Sequence, residues 1–142
     1  MYRAKIGVPV QTKEALDAFL RAEAKSIVHG LGMLQVANIK ARTQAGRDIY
    51  DRQMPRYTPA YAKFRAKKGR DATRRNLLFR GHMMRGMFAV PNGDMRIVIK
   101  FTDPMQRIKA RANHEIAPWF GVSEDDFQKL SQWLRDRLRR KK

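Results

Sequence analysis

MFAVPNGDMRIVIKF, Met87–Phe101, decides the fold class. Asn92-Gly93 is the strongest short hairpin signal, because both residues tolerate the positive φ that tight hairpin turns need. Met87–Val90 and Met95–Phe101 therefore read as two strands flanking Pro91-Asn92-Gly93-Asp94. In the second strand Met95, Ile97, Ile99 and Phe101 face one side and Arg96, Val98 and Lys100 the other, the period of two of a half-buried strand. Asp103-Pro104 ends it.

On both sides of this hairpin the period changes. Downstream, Met105–Ala112 reads as a short, weakly amphipathic helix or a loop. IAPWFGVSEDD, Ile116–Asp126, then launches the last element. Ser123 is placed to cap a helix, with Asp126 completing a capping box and Val122 and Phe127 at the positions of a hydrophobic staple. Phe127, Leu130, Leu134 and Leu138 follow at helical spacing. Trp119 and Phe120, in the apolar plug before the cap, are candidate anchors of a core or of an interface.

Upstream, Leu77–Met87 reads as a turn and short helix entering the first strand. Residues 47–76 show no clean period and are punctuated by Pro55, Pro59 and Gly69. They read as a long basic surface excursion. Met54–Arg75, with few apolar anchors and dense like charge, is expected to be mobile in the free subunit and ordered in an assembly. Before it, Leu16, Leu20, Ile27, Leu31 and Leu34 give a long helix capped at Thr12 and ending near Gly46, with Gly30 and Gly32 marking a kink or a close approach of another backbone. Residues 3–10 read as a short edge strand. The expected fold is α+β: a long N-terminal helix and a C-terminal helix packed on a small antiparallel sheet centred on the hairpin. One domain is expected over residues 1–142.

Composition narrows function. A chain of 142 residues buries about 68–70% of its unfolded surface, enough for a core. It has no cysteine, which excludes disulfides and thiolate metal sites. No run approaches a membrane span. The N-terminus does not read as a secretory signal. A cytoplasmic setting, or a particle built in a cytoplasm, is expected.

Charge is the extreme quantity: 31 Lys and Arg against 13 Asp and Glu, a net +18. Such a surface attracts polyanions. Arg65, Lys67, Lys68, Arg70, Arg74 and Arg75 form one run. Arg137, Arg139 and Arg140 belong to a second at the C-terminus. Two readings compete: a solvated face with a loose tail, or contacts to DNA or an acidic protein partner. Tyr50, Tyr57, Tyr61 and Phe64, interleaved with the first run, either pin the segment to the core or stack on single-stranded bases.

Little points to catalysis. His29, His82 and His114 are scattered, no nucleophile elbow or phosphate loop is present, and a nuclease would need clustered acids to hold its metal ions. No enzyme activity, metal or cofactor is expected. No helix-turn-helix, zinc or basic-zipper layout is seen either.

With these segments in hand, the chain resembles the virion-morphogenesis, or tail-completion, family of tailed bacteriophages, over most of its length and in matching order. A long N-terminal helix comes first. MPRYTPAYAKFRAKKG, Met54–Gly69, is similar to the family's Pro/aromatic and basic stretch. Leu77, Leu78, Gly81, Met83 and Met87 fit its Leu-Leu-x-Thr-Gly-x-Leu segment, with Arg80 in place of Thr and Gly86 in place of Ser. A hairpin follows. Ala117-Pro118-Trp119-Phe120-Gly121-Val122-Ser123 is similar to the family's closing turn. QRIKARANHE, Gln106–Glu115, departs from the His- and Gly-containing stretch usual before that turn.

The resemblance implies a non-enzymatic structural protein of the virion neck or head-proximal tail end, assembled in the host cytoplasm. It would act in tail completion and head–tail joining. It implies an oligomeric ring, expected to be a hexamer. The implied partners are itself, neighbouring neck, tail-terminator or tail-tube proteins, and DNA in the neck channel, with no membrane. The runner-up is a nonspecific nucleic-acid-binding or DNA-packaging accessory protein, which the net charge supports.

Overall fold

The computed structural model describes residues 10–77, 81–93 and 95–140, with side chains from residue 14 onward. The chain adopts the expected α+β architecture. Its elements are α1 (Val10–Gln44), α2 (Pro59–Lys67), α3 (His82–Arg85), β1 (Met87–Pro91), β2 (Ile97–Phe101), α4 (Pro104–Ile116) and α5 (Glu124–Arg139). The strand expected over residues 3–10 lies outside the described residues except for Val10, which opens α1.

α1 is a continuous helix of 35 residues. It begins two residues before Thr12, so Thr12 is not its cap. Its end is built as expected. Gly46 sits at φ +78°, its amide donates to the Thr43 carbonyl at 2.9 Å, and the Arg47 amide reaches the Arg42 carbonyl at 3.1 Å. That paired pattern is a Schellman stop, which favours glycine at the left-handed position.

The buried face of α1 differs from the one expected. Ile27, Leu31 and Leu34 are half-buried, but Leu16 and Leu20 are exposed. The buried positions are Gln35, Val36, Asn38, Ile39 and Thr43. The cause is that, among the described residues, α1 is gripped from two sides along its second half. A methyl group on Gly32 would lie 2.5 Å from Ile97 Cδ1 and 3.0 Å from Ala89 Cβ on the hairpin. One on Gly30 would lie 2.6 Å from Trp133 Cη2 on α5. The two glycines therefore mark close approaches, of side chains rather than backbone.

β1 and β2 pair antiparallel from Met87↔Phe101 to Pro91↔Ile97. In the turn Gly93 sits at φ +82° and the Asn92 amide donates to the Arg96 carbonyl at 2.9 Å; Asp94 lies outside the described residues. Pairing thus stops before Met95, whose side chain is exposed rather than on the inner face. Ile99 and Phe101 do pack inward.

Met105–Ala112 resolves to helix. Asp103 accepts from the Gln106 amide at 2.9 Å and Pro104 occupies the first turn, a strong start signal. α5 starts with the full capping box: Asp126 N donates to Ser123 Oγ and Ser123 N to Asp126 Oδ2, both at 3.0 Å. The flanking Val122 and Phe127 remain more than half exposed. Along α5, Leu130 and Leu134 are half-buried while Leu138 is exposed. The ring that meets α1 is Trp133.

The core comprises Val36, Ile39, Met54, Met83, Met84, Met87, Ala110, Ala117 and Trp119, with Leu77, Ala89, Ile99, Phe101 and Phe120 against it. Four of the nine are methionines, whose unbranched thioethers suit the irregular space between short elements.

Residues 47–76 depart from a bare excursion. Asp48 ties a closed loop: its Oδ1 accepts from the Tyr50 and Arg52 amides at 2.9 and 3.0 Å, and its Oδ2 from Arg52 Nε at 3.0 Å. Burial opposes the charge on Asp48, but these donors outweigh it and hold its carboxyl below the usual range. The Met54 amide closes back on the Gly46 carbonyl at 2.8 Å, and the Met54 side chain enters the core. α2 then occupies much of the basic stretch. Its irregular apolar spacing hid it, because it is held by its aromatic and arginine side chains rather than by an aliphatic stripe.

Candidate functional site: a basic aromatic surface beside a buried polar turn

α2 and the loop after it carry the first basic run, and its members divide sharply. Arg65 is 1% exposed. Its guanidinium lies 4.5 Å from the Tyr57 ring centroid and 5.8 Å from that of Tyr61. Nε donates to the Asp71 carbonyl at 2.7 Å and Nη2 to Asn76 Oδ1 at 3.2 Å. Arg65 is therefore an internal clamp on the 68–77 loop, and its burial removes it from the candidate contacts to DNA or a partner.

Arg75 closes the same corner from outside. It lies 4.6 Å from the Tyr57 centroid, and its Nε donates to the Pro55 carbonyl at 2.7 Å. The Tyr57 hydroxyl accepts from the Leu77 amide at 3.1 Å. Tyr57 thus pins the segment, as one of the two readings of these aromatics required. Tyr61 and Phe64 stack on each other at 6.0 Å and stay partly exposed.

Asp71 organises the loop tip. It accepts from the Thr73 hydroxyl at 2.7 Å, the Thr73 amide at 2.8 Å and Arg74 Nε at 3.0 Å. The Thr73 hydroxyl and amide, with Arg74 adding to them, lower its pKa to about 2. Arg74 is thereby engaged, though half exposed. Lys67, Lys68 and Arg70 are exposed.

Between α2, the start of α3 and α4 lies an open cleft of about 570 Å³, walled by Tyr57, Tyr61, Arg65, Arg75, His82 and Lys109. It is cationic and aromatic, suited to an anionic group. Among the described residues there is no cluster of three or more His, Cys, Asp or Glu able to hold a metal.

The C-terminal run lies at the end of α5. Arg137 is half-buried, its Nε enclosed without a hydrogen-bond partner among the described residues. Arg139 and Arg140 are exposed.

Trp119 and Phe120 act as core anchors. Trp119 is 0% exposed. Its Nε1 donates to the Ala110 carbonyl at 3.1 Å, and its ring meets those of Phe101 and Phe120 edge-on. Phe120 is half-buried against Phe101.

Beneath this turn lies a polar network that the sequence pattern did not reveal. Asp126 Oδ2 takes a hydrogen bond from Arg42 Nη1, one from Gln35 Nε2 at 3.0 Å and one from the Ser123 amide at 3.0 Å. Arg42 Nη2 also reaches the Trp119 carbonyl at 2.9 Å, and Gln35 Nε2 the Gly121 carbonyl at 2.9 Å. Burial works against the Asp126 charge, but the Ser123 amide, Gln35 and Arg42 overcome it and keep its carboxyl below the ordinary range. The available signal was the spacing Gln35, Asn38, Arg42, a polar stripe at three- and four-residue intervals on a helix.

Among the described residues no helix is long and apolar enough to cross a membrane. No family model, no curated protein and no solved structure matches this chain.

Proposed function

We propose that this protein is a structural component of the virion neck of a tailed bacteriophage, forming an oligomeric ring that completes the tail and joins it to the head. The observation that carries the reading is the ordered resemblance of four segments, and where those segments lie in the fold supports it. Met54, Met83, Met87, Ala117, Trp119 and Ser123, all within the resembling segments, are buried. These resembling segments therefore also contribute residues that build the fold. In this role the exposed Lys67, Lys68, Arg139 and Arg140 face acidic neighbours or DNA in the channel.

The test is genetic and structural. Particles made without the protein should accumulate as filled heads and separate finished tails. Normal infectious yield would overturn the role.

A second reading, nonspecific nucleic-acid binding, has the exposed basic patches and the cationic aromatic cleft in its favour. If it holds, affinity for naked DNA should fall steeply with salt, as each neutralised phosphate releases counterion. Weak, length-independent DNA binding at low salt would remove it.

A further inference from the structure

We propose that the cleft between α2 and α4 binds a 5′-phosphorylated nucleoside, its phosphate held at the start of α2 and its base against Tyr61. The cleft lies within one chain, so it can fill whether or not copies assemble into a ring. Its volume of about 570 Å³ falls within the range of small-molecule pockets, about 300–1,000 Å³.

α2 sets the phosphate end. Thr58 and Tyr61 line the cleft, which brings the first turn of the helix against it. Thr58 makes no side-chain cap, and no acid occupies that turn. Pro59 has no N–H, and the Ala60 and Tyr61 amides, in the first turn, have no acceptor within the helix. A helix start of this kind favours an anion. Arg75, His82 and Lys109 line the same space. Arg75 is fixed by Nε and Nη2 bonds to the Pro55 and Arg56 carbonyls, neither of which uses its Nη1. Among the described residues no Asp or Glu lines the cleft. The acids of the surrounding elements are engaged elsewhere. Asp103 caps α4, Glu115 pairs with Arg111, and Asp71 holds Thr73 and Arg74.

Tyr61 and two amides set the base end. Tyr57 already meets the Arg65 and Arg75 guanidinium groups at 4.5 and 4.6 Å. Tyr61, 39% exposed, is the cleft ring left to stack on a base. Gln106 lines the cleft yet is only 7% exposed, and its Oε1 has no hydrogen-bond partner among the described residues. Buried polar atoms are rarely left so. The exocyclic amino group of adenine or cytosine is a donor of the kind this oxygen lacks. Asn113, on the same face of α4, also lines the cleft. Its Nδ2 is tied to the Lys109 carbonyl, and its Oδ1 is a second acceptor. A carboxylate from a protein neighbour would satisfy the cations but offer these two acceptors nothing. That favours a nucleotide over an acidic peptide.

Isothermal titration calorimetry of the full chain at about 0.15 M salt, where diffuse attraction is screened, tests the site. dAMP should bind saturably, one per chain, and more tightly than inorganic phosphate or deoxyadenosine. Lys109→Ala should weaken it at least about tenfold, the worth of a charge-assisted hydrogen bond. Gln106→Leu should also weaken it, while the thermal midpoint holds or rises because an unpaired buried acceptor is gone. Arg107→Ala removes a charge of the same helix that does not line the cleft, and should leave binding unchanged. A single-stranded oligodeoxyadenylate identifies the source. Competition with dAMP shows a site for nucleotides within a strand, and no competition a site for the free nucleotide.

Inorganic phosphate binding as tightly as dAMP would reduce the cleft to a simple anion site and overturn the proposal. So would no saturation at millimolar dAMP, an equal loss in Arg107→Ala, or full affinity in both Lys109→Ala and Gln106→Leu. Tighter binding of a short polyglutamate than of dAMP would overturn it in favour of a peptide occupant.

Discussion

Arg42, near the end of α1, and Asp126, in the first turn of α5, form a buried ion pair that joins residues 84 apart in sequence. Their side chains are 8% and 3% exposed. The pair also holds the closing turn, because Arg42 reaches the Trp119 carbonyl while Asp126 caps its own helix through Ser123. One carboxylate thus fixes a helix start, a helix crossing and the turn between them. Removing either partner leaves an uncompensated buried charge, which costs about 3–5 kcal/mol. Arg42→Met and Asp126→Ala should each lose that much in denaturant unfolding. The double variant should lose clearly less than their sum.

The pH dependence follows from the same carboxylate. Asp126 and Asp48 both have folded pKa values below their ordinary ones. A depressed folded pKa means that the stability from each is fully present above the unfolded value, about 3.9. It is lost as pH falls through the lower folded value. Stability should therefore fall with pH below about 4. Asp126→Asn should be less stable near neutrality and lose less on acidification. An equally steep acid loss in Asp126→Asn would show that the network does not carry the effect.

Gly32 faces the hairpin so closely that a methyl group there meets Ile97 Cδ1 at 2.5 Å. Gly32→Ala gains about 1 kcal/mol of helix propensity. Against this stands overpacking of about 1–3 kcal/mol, and Ala89 Cβ at 3.0 Å blocks the easiest escape. The net is expected to be destabilising by thermal unfolding. Ile97→Val removes the clashing atom and should recover part of the loss in the double variant.

Within the first basic run, burial separates structure from contact. Arg65→Ala should destabilise the protein and strip hydrogen-exchange protection from the 68–77 loop, because its clamp on Asp71 and Asn76 is lost. Lys67→Ala and Lys68→Ala, on the exposed side, should stay within about 0.5 kcal/mol of the parent. They should weaken binding to an acidic partner or DNA. Equal destabilisation by all three would erase this division.

How far the fold was legible depended on how local its signals were. The hairpin, the Gly46 stop and the Ser123–Asp126 capping box rest on neighbours a few residues apart, and each formed. The buried face of α1 did not read correctly, since Leu16 and Leu20 continue the pattern yet stay exposed. What decides that face is the pair of distant elements at Gly30 and Gly32. α2 was missed because its anchors are an arginine and tyrosines. Arg65 looked like one more cation in a basic run, and its burial depends on Tyr57, Asp71 and Asn76 folding around it. For the same reason Asp126 was legible as a cap but not as the partner of Arg42.

The central claim is that this chain sits at the junction of head and tail. The most direct measurement is its position in intact virions, by electron microscopy of particles carrying a compact label on the C-terminus. The account predicts label density confined to the neck or the head-proximal end of the tail, arranged as a ring about the tail axis. Label spread over the capsid shell, or absence of the protein from purified infectious virions, would contradict it.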